Sequence, residues 1–257
     1  MKMTCAVCAV SALLVAIPAV AQVPPPPPQP AAAPAPPPPP PPPRFEGNAE
    51  VSFVSTTGNT ETSSFGIGGN VIYRPDLWVF RWGAGFVRNE TDEVVSAESL
   101  AFLFRADRTF TDRLTGFGEY DYYRNEFSGI EQRHTLSGGL SYLLLGDDRQ
   151  KLRADAGLGY TNEQRTTGDD ISTALALTGL SYTLKISETA EFTDDLRFDW
   201  LFDSADNWRF GNIAAITAKL TDLFSLKLSN TWRYANLPPP GFEATDTITS
   251  VALVAKF

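Results

Sequence analysis

Cysteine is absent from residues 44–257; the only two, Cys5 and Cys8, sit at the extreme N-terminus. Histidine occurs once, as His134. These absences exclude a disulfide scaffold, a cysteine-based zinc site and a cysteine nucleophile in the body of the chain, and no cofactor is expected. Positive charge is scarce: 21 Lys and Arg stand against 30 Asp and Glu, for a net charge of −9. That balance is wrong for a nucleic-acid face, which needs basic groups for phosphate. After residue 21 no stretch approaches the roughly 18 consecutive apolar residues of a membrane helix. Proline is rare beyond residue 43, where only Pro75 and Pro238–Pro240 occur, whereas 16 of the 20 prolines crowd into residues 1–43.

What is present begins with an address. Lys2 precedes an apolar run from Ala6 to Val20, and Ala19-Val20-Ala21 has the small-x-small form of a cleavage site, so residues 1–21 read as a signal peptide. Cys5 and Cys8 precede or lie within the apolar run, which excludes a lipoprotein cysteine. Residues 22–43 follow as a proline-rich leader. Such a tract cannot join a helix or sheet ladder, and locks into polyproline II at ~3.1 Å per residue. It is expected to be a periplasmic spacer, a ligand for an aromatic groove, or a leader of no specific role.

Residues 44–257 alternate with period two. In LFSLKLSNTWRY (223–234), Phe224, Leu226, Leu228, Trp232 and Tyr234 share one face, and Ser225, Lys227, Ser229, Thr231 and Arg233 the other. Turn residues divide this region into twelve predicted strands: 45–56, 62–74, 77–90, 95–109, 113–126, 131–145, 150–164, 171–186, 190–203, 207–221, 223–236 and 246–257. An exported chain without a membrane helix can span a membrane only as a closed barrel. Alternation alone also suits a soluble sandwich. Lipid is favoured by large apolar residues along one flank, by aromatics near strand ends (Tyr73, Trp78, Trp200, Phe202, Trp208), and by the alternating VALVAKF ending in Phe257. The expected fold is all-β: a transmembrane, antiparallel up-and-down barrel of about 12 strands in the bacterial outer membrane. Both termini are expected to be periplasmic, with the Thr91–Val94 and Pro238–Gly241 links outside.

The opening GNAEVSFVSTTGNTETSSFGIGGNVIYR (47–74), the DLRFDWLF segment and the closing NTWRYANLPPPGFEATDTITSVALVAKF (230–257) resemble the YdiY-like, salt-induced outer-membrane protein family. Gly58-Asn59-Thr60, Pro239-Pro240-Gly241 and Asp246-Thr247 carry the likeness, which covers about residues 45–257. The resemblance implies an outer-membrane barrel with a stress-responsive role. The family has no assigned biochemical function and offers no catalytic residues to carry over.

No catalytic set can be read off. A lipid-modifying enzyme would need a serine beside His134; Ser137 falls on the opposite face of its strand, and only Ser128 in the adjoining loop could approach. Asp147-Asp148 and Asp169-Asp170 lack the spacing of a calcium loop and read as solvated turns. Gly66, Gly68, Gly157 and Gly159 lie inside strands with no following helix, so rather than nucleotide loops they read as easing barrel curvature or leaving room in the lumen. The polar flank is the candidate site. Turned inward, it would line the lumen with Arg81, Arg105, Glu119, Asp121, Arg153, Asp155, Arg197, Asp199, Lys219, Lys227 and Arg233, together with Glu50 and Lys185. A hydrated lumen would make a narrow passive pore. A fully paired lumen would make a closed structural barrel anchoring the proline segment. The expected partners are outer-membrane lipids, the barrel-assembly machinery at Phe257, and peptidoglycan or a periplasmic protein at the leader.

Overall fold

The computed structural model describes residues 43–57, 62–91 and 94–257. The signal-peptide and leader readings lie outside these residues, as does the Gly58-Asn59-Thr60 motif. Twelve strands follow in order: β1 (Phe45–Thr57), β2 (Thr62–Tyr73), β3 (Trp78–Thr91), β4 (Val94–Thr109), β5 (Leu114–Asn125), β6 (Ile130–Gly146), β7 (Gln150–Arg165), β8 (Ile171–Lys185), β9 (Ala190–Leu201), β10 (Trp208–Lys219), β11 (Phe224–Ala235) and β12 (Thr245–Lys256). Each predicted strand is present, with its ends within two residues of the expected position. The only described helix is one 3-10 turn at Glu126–Ser128.

Every strand pairs antiparallel with its sequence neighbours, and β1 pairs with β12 to close the barrel. Closure leaves no edge with unpaired backbone groups, the condition for standing in lipid. The seam extends to the last residue: Gly47 donates its N–H to the Phe257 carbonyl at 2.8 Å, and Phe257 donates back to Gly47 at 2.9 Å. Both described ends of the chain therefore lie at one rim, here the terminal rim. The connections at 74–77, 110–113, 147–149, 186–189 and 220–223 lie at the same rim. They are short because hydrogen bonds close them tightly; Asp147 accepts the N–H groups of Arg149 and Gln150 at 2.9 and 2.7 Å. Those two bonds hold its exposed carboxyl below the usual carboxylate range. The connections after β5, β7, β9 and β11 stand at the far rim.

Two groups of outward-facing aromatics form belts. Trp78, Phe80, Trp82 and Phe104 make one near the terminal rim, with ring centroids 5.5–6.3 Å apart along the chain of contacts. Phe198, Trp208, Tyr234 and Trp232 make the other near the far rim, linked at 5.1–6.2 Å. Amphipathic rings at these two levels suit headgroup boundaries. Outward leucines fill the space between on β6 and β7: Leu136 and Leu158 are each 65% exposed.

One strand departs from the expected pattern. On β8, Leu175 and Leu177 point into the lumen, 1% and 5% exposed, while Ala174, Ala176 and Thr178 face out. The inward leucines pack with Ile171, Leu201 and Phe117 into a buried apolar cluster. The lumen here is closed enough to bury apolar area, so greasy side chains gain as much inside as in lipid.

The backbones of β6 and β7 approach closely at two facing glycines. Gly139 and Gly157 are register partners. A Cβ on Gly157 would lie 2.5 Å from the Gly138 carbonyl oxygen and 3.1 Å from the Gly139 Cα. Two facing glycines, with no Cβ to clash, let the backbones approach this closely.

Candidate functional site

The period-two alternation brings the polar flank of most strands to the barrel interior, where strands far apart in sequence meet. A chain of ion pairs runs across the lumen. Arg81 on β3 pairs with Asp107 on β4. Asp107 also accepts from Arg105 Nε at 3.0 Å. Arg105 reaches Glu119 on β5 at 3.2 Å and Asp155 on β7 at 2.7 Å. Glu119 in turn accepts from Arg197 Nη1 on β9 at 2.5 Å, and Arg197 Nε holds Asp199 at 2.9 Å. The Arg197–Glu119 contact joins β9 to β5, four places apart around the ring. Charges turned into a low-dielectric wall must be paired or hydrated. This network pairs them and reduces the free cross-section.

A second cluster lies nearer the far rim. The Glu163 carboxylate, 1% exposed, receives three guanidinium groups: Arg133 at 2.5 Å, Arg165 at 2.7 Å and Arg209 at 2.8 Å. Arg233 lies over the Tyr123 ring at 4.9 Å, and its Nη1 is buried without a hydrogen-bond partner. Planar guanidinium groups can share one carboxylate and also stack on rings, which ammonium groups do less well. All eight basic residues around the chamber are arginines.

Between and above these clusters is a chamber of about 670 Å³. Its floor and walls include Arg81, Arg105, Glu119, Asp121, Arg153, Asp155, Arg197, Asp199 and Arg233. Arg153 also lies 3.5 Å from Ser141 Oγ. Two other expected lumen charges stand apart from it. Lys227 pairs with Glu50 at 3.0 Å, near the β1–β12 seam. Lys219 reaches out of the barrel end to Asp222 at 2.7 Å, where it holds that exposed carboxyl below its usual range.

The chamber has a roof. The β11–β12 connection, residues 236–244, crosses the far mouth. In the closed ring the β5–β6 junction lies half-way round from β11–β12, yet the loop touches it: Phe242 and Pro239 rest on Gly129. Further anchors lie along the way. Thr167 Oγ1 donates to the Pro240 carbonyl at 2.7 Å, Arg165 donates to the Leu237 carbonyl at 3.3 Å, and Asn236 Nδ2 donates to the Asp206 carbonyl at 2.9 Å. Gly129 and Gly168 have φ of +78° and +80°, and a Cβ on either would strike the lid at 2.6–2.8 Å. Three consecutive prolines make the crossing segment stiff.

His134 faces outward, bonded through Nδ1 to the Tyr120 hydroxyl at 2.8 Å, with its ring tilted against Tyr122 at 5.0 Å. Ser137 faces inward and is buried, and Ser128 donates to the Asn125 carbonyl. The serine–histidine arrangement that a lipid-modifying enzyme would need is not assembled.

Sequence reasoning omitted Asp107, Arg133, Glu163, Arg165 and Arg209. Parity was the available signal. Asp107 shares a face with Arg105, and Glu163 and Arg165 share one with Arg153 and Asp155. Their positions close to strand ends made wall and turn hard to separate.

A closed twelve-stranded barrel with an apolar outer surface, two aromatic belts and a charged interior is an outer-membrane β-barrel. The family described as "Protein of unknown function, DUF481" matches residues 49–257, and the chain belongs to it. The uncharacterized protein YdiY of Escherichia coli (strain K12) is 23% identical over 212 residues, covering 81% of this chain and 82% of YdiY. Among solved structures, the NanC porin superposes with a TM-score of 0.57 at 10% identity, covering 81% of this chain and all of that one. At that identity the likeness speaks for the fold.

Proposed function

We propose that the protein is a narrow passive pore of the bacterial outer membrane, with the lidded mouth facing the exterior and the termini in the periplasm. The carrying observation is the chamber of about 670 Å³ walled by arginines and carboxylates, most of them joined in ion pairs. Barrel bore grows with strand number; eight strands are filled by side chains and sixteen leave an aqueous channel. Twelve leaves a bore that side chains can narrow without closing. Inward Ile213 remains 45% exposed, which supports water in the lumen rather than solid packing. Fixed charges of both signs around it would favour small hydrated solutes over large or apolar ones.

Purified full-length protein in planar bilayers is expected to give small, stepwise, ohmic currents. Absence of current at every voltage would overturn the pore and leave the closed structural barrel. That competing reading draws on the Leu175–Leu201 cluster and the lid. The family resemblance adds a salt-responsive role, and the proline leader adds a periplasmic spacer. Both extend the proposal and neither is needed for conduction.

A further inference from the structure

The outer surface is not uniform. On β2–β7 it carries Trp82, Phe86, Phe104, Leu136, Leu140 and Leu158. On β8–β12 small and polar side chains interrupt the apolar surface between Leu180, Ile216, Leu228 and Val251. Even-numbered residues of β9, β10 and β11 face outward, as the exposed Trp200, Ile216 and Leu228 attest. Asp194 and Asn212 have that parity. Asn212 Nδ2 donates to Asp194 Oδ1 at 2.5 Å. Asn230 also faces out, and its Nδ2 donates to Thr249 Oγ1 at 3.0 Å.

These groups form a row. Asp194 is the register partner of Ala214, Ala214 of Asn230, and Asn230 of Thr249. Each lies near the middle of a 12-residue strand, with Asn212 beside Trp232 of the far-rim belt. Acyl chains offer no hydrogen-bond partner there, and an outward carboxylate at mid-depth is costly in lipid. One bond from Asn212 leaves most of the Asp194 acceptor capacity unused.

We propose that this face is where a second copy of the chain docks, so that the barrel pairs in the membrane. The surface is self-complementary. A two-fold axis near Ala214 would bring the Asp194 acceptor of one copy to the Asn212 and Asn230 amides of its partner, and the reverse contact follows by symmetry. Outward Ala214 lacks a long side chain, so the two copies can approach closely at the proposed axis, as small residues allow in membrane interfaces. The proposal requires the membrane barrel but not conduction, so an electrically silent barrel would leave it standing.

The full-length protein in mild detergent is expected to sediment as a dimer, and the Asp194→Leu/Asn212→Leu variant as a monomer. Retained heat-modifiable mobility in gels would show that the variant still forms a barrel. Monomeric wild type, or a folded double variant that stays dimeric, would overturn the proposal. A second readout does not depend on that variant folding. In a chain carrying Cys5→Ser and Cys8→Ser, Ala214→Cys is expected to give an oxidised dimer in membranes, and Leu140→Cys, four strands away around the ring, none. Equal cross-linking at both positions, or none at Ala214→Cys, would count against it.

Discussion

Removing residues 238–242 is expected to raise single-channel conductance severalfold. This segment roofs the chamber. It starts on the β11 side, crosses to the β5–β6 turn, and is pinned by Thr167, Arg165 and Asn236 on the way. Its own conformation is stiffened by Pro238, Pro239 and Pro240, so it obstructs the mouth permanently rather than flickering over it. The deletion leaves Asn236, Leu237, Glu243 and Ala244 to join β11 and β12, a length within the ordinary range for hairpins. The barrel wall should therefore survive. The check is conductance in planar bilayers, with heat-modifiable gel mobility confirming that the barrel has formed. Unchanged conductance in a folded variant would place the resistance elsewhere, at the Arg197–Glu119 crossing.

The largest stability loss is expected from Glu163→Leu. One buried carboxylate holds Arg133, Arg165 and Arg209 together at 2.5–2.8 Å. Its removal leaves three guanidinium groups crowded in a site where none can reach bulk water freely. Breaking a buried pair by deleting one partner costs about 3–5 kcal/mol, and here three partners are stranded at once. Glu163→Gln should fall between, since the amide keeps an acceptor oxygen but loses the charge. Urea unfolding in lipid vesicles measures both. A Glu163→Leu midpoint equal to that of the wild type would mean that the three arginines find other partners or water.

The fold was largely legible because its main device is local. Alternation, turn residues and strand length are properties of short windows, and all twelve strands follow from them. β8 shows where local reading ends. Its alternating Leu175, Leu177 and Ala174, Ala176 reveal a period but not which phase faces lipid. The decision is made by Leu201 across the β8–β9 hairpin and by Phe117, which reaches β8 from three strands away in the closed barrel. The same limit governs the site. Parity placed Arg105, Glu119 and Arg197 on inner faces, but the pairing of Arg197 with Glu119 joins residues 78 positions apart. Nothing in the spacing of the two residues encodes it. The lid was equally hidden: Pro238–Gly241 reads as a long turn, and only Gly129 and Gly168 at the far side show where it lands.

All five tryptophans, Trp78, Trp82, Trp200, Trp208 and Trp232, sit on the outward flank of their strands, near the two aromatic belts. Their native fluorescence is therefore a direct probe of which flank meets lipid. In vesicles of lipids brominated near the glycerol end of the acyl chains, essentially the whole emission is expected to be quenched relative to unbrominated vesicles. Emission that persists undiminished, or protein that stays in solution when the vesicles are sedimented, would contradict a barrel whose apolar flank faces acyl chains.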